Sequence, residues 1–208
     1  MPIKKDREYR NLGTFKMDLD DSDDSYVVGY ASTFDAYPMY EEDGITYYER
    51  IDRHAFDDAD MSDVVFLRDH SGRVLARTKN GSVELSVDDH GLYQKTNLGL
   101  TDAAKDMLED IAVGNYSQMS FSFTVAEDHY ERETHTRVID RFRKIYDISA
   151  VSFPANPFTD IGVSMRDYFH GEMEKVEAER LEAEKRAKAR KALQLRIKMM
   201  KGKNDGNC

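Results

Sequence analysis

Residues 118–125 read QMSFSFTV, and their strict alternation is the point from which the fold is best approached. Met119, Phe121, Phe123 and Val125 share one face, and Gln118, Ser120, Ser122 and Thr124 the other, because successive side chains of an extended chain point to opposite sides. The pattern predicts a half-buried strand with its serines on the polar face. Toward the N-terminus the period changes. Ala104, Met107, Leu108 and Ile111 stand at i, i+3, i+4 and i+7, with Thr101 or Asp102 placed to cap the start and Gly114-Asn115 to stop the run, which predicts one amphipathic helix. Before it lie five runs rich in β-branched and aromatic residues: Ser25–Phe34, Asp63–Leu67, Val74–Thr78, Ser82–Val87 and Leu92–Leu98. Lys79-Asn80-Gly81 and Asp88-Asp89-His90-Gly91 separate the later runs with residues that accept positive φ cheaply, so an antiparallel meander is expected. Beyond residue 125, a polar turn over Glu127–Thr136 leads to a long strand-like stretch, Arg137–Ser152, closed by Pro154 and Pro157.

From about Met165 the β-formers give way to Glu, Lys, Arg and Ala, a composition of high helix propensity. Residues 1–164 therefore read as one domain and residues 165–208 as a charged helical tail. The tail's acidic residues precede its basic ones, as the helix dipole favours. Its apolar positions (Met173, Val176, Leu181, Leu193, Ile197, Met200) keep no clean heptad, which argues for a solvated helix over a strong coiled coil. From Glu172 onward there are 11 Lys and Arg against 7 Asp and Glu, while the residues before it carry 19 against 33. An acidic body of this kind offers no nucleic-acid groove, since phosphate contacts need clustered cations.

Composition narrows the classes further. The chain has 208 residues, 40% hydrophobic and 34% charged, with a mean hydropathy of -0.70. No apolar run approaches the ~18 to 20 residues of a membrane span, and the basic N-terminal residues lack an apolar segment behind them, so neither a membrane protein nor a secreted one is expected. Cys208 is the lone cysteine, which excludes a cystine scaffold and fits a reducing compartment.

Most chemistries lack their signal. His54, His70, His90, His129, His135 and His170 are scattered without metal-ligand spacing, so no metal site is expected. The acidic run Asp18–Asp24 has Asp23 and Gly29 where a calcium loop needs glycine and glutamate, and reads as a solvated loop. No GxGxxG, GxxxxGK[ST] or GxSxG occurs, and no cofactor is implied. What remains is one His, one Ser and one Asp, each on or beside a strand: His70 after DVVFLRD, Ser120 in QMSFSF and Asp147 in KIYDISAVSFPANP. A serine hydroxyl needs a base to take its proton, and the base needs a third group to hold its tautomer. Spacing alone does not select these three.

The ordered segments VVGYASTFD (28–35), YYERIDRHAF (47–56), VVFLRDHSGRVLART (64–78), DDHGLYQKTNL (88–98), YSQMSFSFTV (116–125) and YDISAVSFPANPFTD (146–160) together resemble the tailed-phage prohead maturation proteases over about residues 10 to 160. That resemblance implies a serine endopeptidase with the herpesvirus-protease (assemblin) fold, a β-rich (α+β), mostly antiparallel β-barrel with surrounding helices. It places the catalytic histidine at His70, the nucleophile at Ser120 and the acidic third member at Asp147. Ser122, where glycine is common, is a rival nucleophile on the same strand face, and backbone N–H groups or Arg141 or Arg143 are candidate oxyanion donors. Implied substrates are the major capsid protein and scaffold segments, cut inside the assembling procapsid in the host cytoplasm, together with parts of the protease itself. The tail then reads as a scaffold-like or capsid-docking extension. Self-association is left open, since the herpesvirus relatives dimerise. The departures RDHS and MSFSF keep a different class in view: a non-catalytic assembly or scaffolding protein built on a protease-like barrel.

Overall fold

The computed structural model of the protein describes residues 7–11, 18–19, 25–152 and 160–204. The chain divides into two compact units, residues 1–165 and 166–208. The first begins with short strands β1 (Glu8–Asn11) and β2 (Asp18–Leu19), then β3 (Tyr26–Thr33) and a hairpin of β4 (Tyr37–Glu42) and β5 (Ile45–Ile51). Strands β6 (Val65–Arg68), β7 (Ser71–Arg77), β8 (Val83–Val87) and β9 (Gly91–Asn97) follow. Helix α1 (Asp102–Ala112) precedes two long strands, β10 (Gln118–Glu131) and β11 (Thr136–Val151), and α2 (Asp160–Asn204) completes the described chain.

Seven strands form one sheet in the order β1-β10-β11-β5-β4, with β6 against β11 and β7 against β6; four form a second in the order β2-β3-β9-β8. The sixteen residues of β11 explain the branching. Its first part, Thr136–Ile139, takes β5 in parallel and its last part, Asp147–Ala150, takes β6 in parallel, while every other ladder among the described residues is antiparallel. The expected closed barrel is thus corrected to a β-rich α+β architecture of two open sheets. Closure needs a partner on both edges of every strand, yet β1, β4, β7, β2 and β8 have one neighbour each among the described residues.

The expected meander is also divided. Instead of a hairpin at Asn80-Gly81, Thr78–Asn80 make one 3-10 turn capped by Gly81 at φ +74°, which carries the chain from the larger sheet to the smaller. Side chains compete with a ladder here: Ser82 N–H donates to Asn80 Oδ1 at 3.1 Å and Arg77 N–H to Ser82 Oγ at 2.9 Å. The second turn does close a hairpin, Asp88 Oδ1 accepting the N–H groups of His90 and Gly91 at 2.8 and 3.0 Å. Gly91 is required there because a Cβ would lie 2.0 Å from the Ser32 carbonyl oxygen. The β4–β5 hairpin, which the patterns above did not announce, turns on Asp43-Gly44 with φ of 53° and 77°.

Helix α1 starts where Thr101 Oγ1 accepts the Ala104 N–H at 3.2 Å and buries Ala104, Met107 and Ile111, the face its period demanded. Against it and between the sheets lies a core in which Phe121 and Phe123 of β10 meet Phe142 of β11 at 5.9 and 4.8 Å between ring centroids. The expected half-buried strand is buried on both faces from Met119 to Thr124. In the second unit α2 is a solvated charged helix: Met173, Leu181 and Leu193 are exposed, and Glu172–Lys175, Glu177–Arg180 and Glu182–Arg186 pair along its surface. No described helix is long and apolar enough to cross a membrane. Pro154, Pro157, the Asp20–Asp24 run, Cys208 and the side chains of Ile197 and Met200 lie outside the described residues.

A buried charge cluster fastens β1 to the larger sheet. Arg10 of β1 reaches Glu49 of β5 through Nε and, at 2.7 Å, through Nη2, and Glu8 at 2.5 Å. Arg137 of β11 meets Glu49 at 2.9 Å, Glu8 at 2.8 Å and Asp128 at 2.5 Å, and Tyr37 donates its hydroxyl to Glu49. Burial raises the Glu8 pKa, but the charge of Arg10 and the hydrogen bond and charge of Arg137 outweigh it and pull it down to about 2. A carboxyl held lower in the folded chain than in the unfolded one stabilises the fold above its unfolded value and loses that contribution as pH falls through the folded one. We therefore expect thermal unfolding to shift downward between about pH 4.5 and pH 2, with Glu8 contributing on the order of 2 kcal/mol. A melting temperature that stays level over that window would contradict the assignment.

Candidate active site

The antiparallel register of β10 on β11 sets Ser122 opposite Asp147 and Ser120 opposite Ser149. Period-2 geometry then puts all four side chains on one face. The parallel pairing of β6 beside β11 brings Arg68 level with Ala150, and the chain reverses at once into β7 through Asp69 and His70. Both turn residues have positive φ, 45° and 54°, as a two-residue type I′ hairpin requires. Asp69 holds the turn down: its N–H donates to the Ala150 carbonyl at 3.0 Å, and its Oδ1 accepts the Ser152 N–H at 3.0 Å. His70 is thereby swung over the serine face.

There the imidazole lies between two partners. Nδ1 is 2.6 Å from Asp147 Oδ1 and Nε2 is 2.5 Å from Ser120 Oγ. The structure brings together the three residues to which the resemblance points. Ser122 is not within reach of His70 by any such bond; its hydroxyl donates to Asp147 Oδ2 and accepts from Arg7 Nε and Nη2 at 3.1 and 2.6 Å. Ser149, two residues along from Asp147, donates to Asp147 Oδ1 at 2.8 Å. Asp147 is fully buried. Burial pushes its pKa up, but the hydrogen bond and charge of His70 and the hydroxyls of Ser122 and Ser149 outweigh that and hold it below the ordinary carboxylate range. A carboxylate kept ionised beside imidazole Nδ1 fixes the tautomer that leaves Nε2 free to accept a proton.

Strand β1 closes the other side. It runs antiparallel to β10, with Asn11 opposite Ser120, and the Arg10 carbonyl accepts the Ser120 hydroxyl at 2.8 Å. One hydroxyl has one proton, so it serves either Arg10 or His70 at a given moment. The Tyr9 ring packs edge-on against His70 at 4.8 Å. Neither Arg141 nor Arg143 is brought to this centre. Arg141 pairs with Glu127 at 3.3 Å and Arg143 is exposed, and four or more residues of strand separate each from Asp147, roughly 13 Å or more. The expectation of an oxyanion donor from that pair is therefore corrected. Beside the turn a cavity of about 320 Å³ is lined by Arg68, Asp69, Arg73, Leu75, Ala103 and Asp106 among others.

A family model described as caudovirus prohead serine protease matches residues 14–174. The chain belongs to that family. No curated protein and no solved structure matches it. As a member of the prohead serine proteases the protein is assigned to hydrolases of phage capsid maturation, and the matched range contains His70, Ser120 and Asp147. Strand β1, with Arg7 just before it, precedes that range. Sequence reasoning missed Arg7, Tyr9 and the Arg10 carbonyl because nothing local marks them: Arg7 meets Ser122 from 115 residues away. Ser149 was within reach of the alternation rule, since it stands two residues from Asp147 on the same face.

Proposed function

We propose that this protein is an endopeptidase that trims the major capsid protein and scaffold segments, and parts of itself, inside the assembling procapsid. The observation that carries the reading is the unbroken series Asp147 Oδ1, His70 Nδ1, His70 Nε2, Ser120 Oγ at 2.6 and 2.5 Å. In this mechanism Ser120 Oγ attacks the scissile carbonyl carbon as its proton passes to His70 Nε2. The C–N bond then breaks, and His70 returns the proton to the leaving amine. Water repeats the sequence on the acyl-enzyme, freeing the acid and restoring Ser120. Asp147 stabilises the imidazolium formed in each half. The family assignment supports the capsid protein as substrate class. Residues 1–164 are the catalytic domain in this reading. The acidic-to-basic helix beyond them serves as a docking extension toward the shell or scaffold.

The test is a serine-directed fluorophosphonate followed by peptide mass mapping, alongside incubation with the capsid protein. The expected result is one adduct, on Ser120, and defined capsid-protein fragments. An adduct confined to Ser122 would transfer the nucleophile, and a folded protein with neither adduct nor fragments would favour the non-catalytic scaffold.

A further inference from the structure

Arg7 has no role in the mechanism above, yet it touches two groups of the site. Its Nη2 binds Asp147 Oδ2 and, at 2.6 Å, Ser122 Oγ; its Nε lies 3.1 Å from the same hydroxyl. The guanidinium carbon stands 4.6 Å from the Tyr146 ring centroid and 5.4 Å from that of Tyr9, so two aromatic faces hold the cation in place. We infer that Arg7 is a positioning residue for the catalytic carboxylate, and that the N-terminal segment carrying it is an integral part of the active centre. The inference rests on the triad reading.

The argument is one of lone pairs. A carboxylate has two oxygens with two acceptor directions each. Oδ1 is taken by His70 and Ser149, and Oδ2 by Ser122 and Arg7. With Oδ2 pinned by a charged donor and by the hydroxyl that this same donor orients, the carboxylate plane cannot rotate about its χ2 bond, a torsion that is otherwise broad. Oδ1 therefore stays aimed at His70 Nδ1. Without Arg7, Ser122 loses the donor that orients its hydroxyl and Oδ2 keeps one partner. The carboxylate then has freedom to turn, and the imidazole it holds turns with it. Because Asp147 is fully buried while the Arg7 side chain is 32% exposed, the cation reaches the carboxylate from the solvent side. Its place is open to a small substitute. Arg7 is anchored by the chain just after it, where Arg10 enters the buried cluster with Glu49 and Glu8.

The experiment measures fluorophosphonate labelling of the full chain, separated into the maximal rate of phosphonylation and the reagent concentration that gives half of it. Wild type, Ser120→Ala, Arg7→Ala and Arg7→Lys are compared at equal folded fraction. Arg7→Ala is expected to lower the maximal rate about 10- to 100-fold with little change in half-saturation. Arg7→Lys should restore part of that rate, and millimolar guanidinium, but not urea, should rescue Arg7→Ala. Arg7→Ala labelling at the wild-type rate overturns the inference while leaving the triad reading intact. So does a loss that neither lysine nor guanidinium relieves and that follows a lowered melting temperature, which would make Arg7 merely structural. Wild type that does not label, or Ser120→Ala that labels equally well, removes the triad reading and the inference with it.

Discussion

Ser120→Ala is expected to lower cleavage of the capsid protein by roughly 10⁴-fold or more, while Ser122→Ala costs only about tenfold. The two hydroxyls are two residues apart on one strand face, so composition and exposure do not separate them. Their partners do. Ser120 Oγ stands 2.5 Å from His70 Nε2, where its proton has a base to go to. The Ser122 proton is directed at Asp147 Oδ2, and the lone pairs of its oxygen face Arg7. A nucleophile must give its proton away during attack, and a carboxylate held below the ordinary range is a weak acceptor for it. Removing Ser122 therefore takes one hydrogen bond from Asp147, with a net worth of about 0.5 to 1.5 kcal/mol. Removing Ser120 takes away the proposed nucleophile. Densitometry or intact-mass kinetics on the capsid protein checks both variants. Equal losses, or a Ser122→Ala variant more damaged than Ser120→Ala, would sink the assignment of the nucleophile.

Glu49→Ala is expected to destabilise the fold by about 3 to 5 kcal/mol. Glu49 is fully buried and receives Arg10, Arg137 and the Tyr37 hydroxyl. Burial works against the charge on both arginines, yet the charge of Glu49 on Arg10, and the Glu8 hydrogen bond with the charge of Glu49 on Arg137, keep their pKa values raised. Taking away Glu49 leaves two guanidinium groups sharing Glu8 and Asp128, at 3% and 7% side-chain exposure. Removing one member of a buried ion-pair network costs more than the pair itself contributes, because the donors aimed at it, the Tyr37 hydroxyl among them, lose their acceptor. The measurement is urea unfolding, read as a lowered midpoint at unchanged slope. The same variant loosens β1, so activity should fall with stability, and activity assayed well below the unfolding transition tells whether β1 leaves the site before the rest of the chain unfolds. A stability change under 1 kcal/mol would mean that water or the remaining carboxylates satisfy the two guanidinium groups without Glu49.

The amount that was legible in the sequence differs between levels. Local elements follow from period and caps: α1 from its apolar spacing with Thr101 ahead of it and Gly114 behind it, and the β8–β9 turn from Asp88 and Gly91. The β4–β5 hairpin was equally available in Asp43-Gly44, whose positive φ values suit a type I′ turn. The candidates His70, Ser120 and Asp147 came from the resemblance, because Ser, His and Asp at separations of 50 and 27 positions carry no local pattern.

Pairing between distant strands lies beyond such rules, because a strand's alternation shows which residues share a face and is silent about what covers it. The sequence by itself determined the periods, the turns, the charge reversal along the tail and a serine-bearing strand face. Only the tertiary structure decided that β11 takes two parallel partners and leaves the sheets open, that β1 pairs along the edge of β10 and brings Arg7 to Asp147, and that Ser120, not Ser122, meets the histidine. The physical reason is range. Helix period and turn chemistry are settled within a few residues, whereas register and charge pairing are settled by which buried groups find partners across more than a hundred.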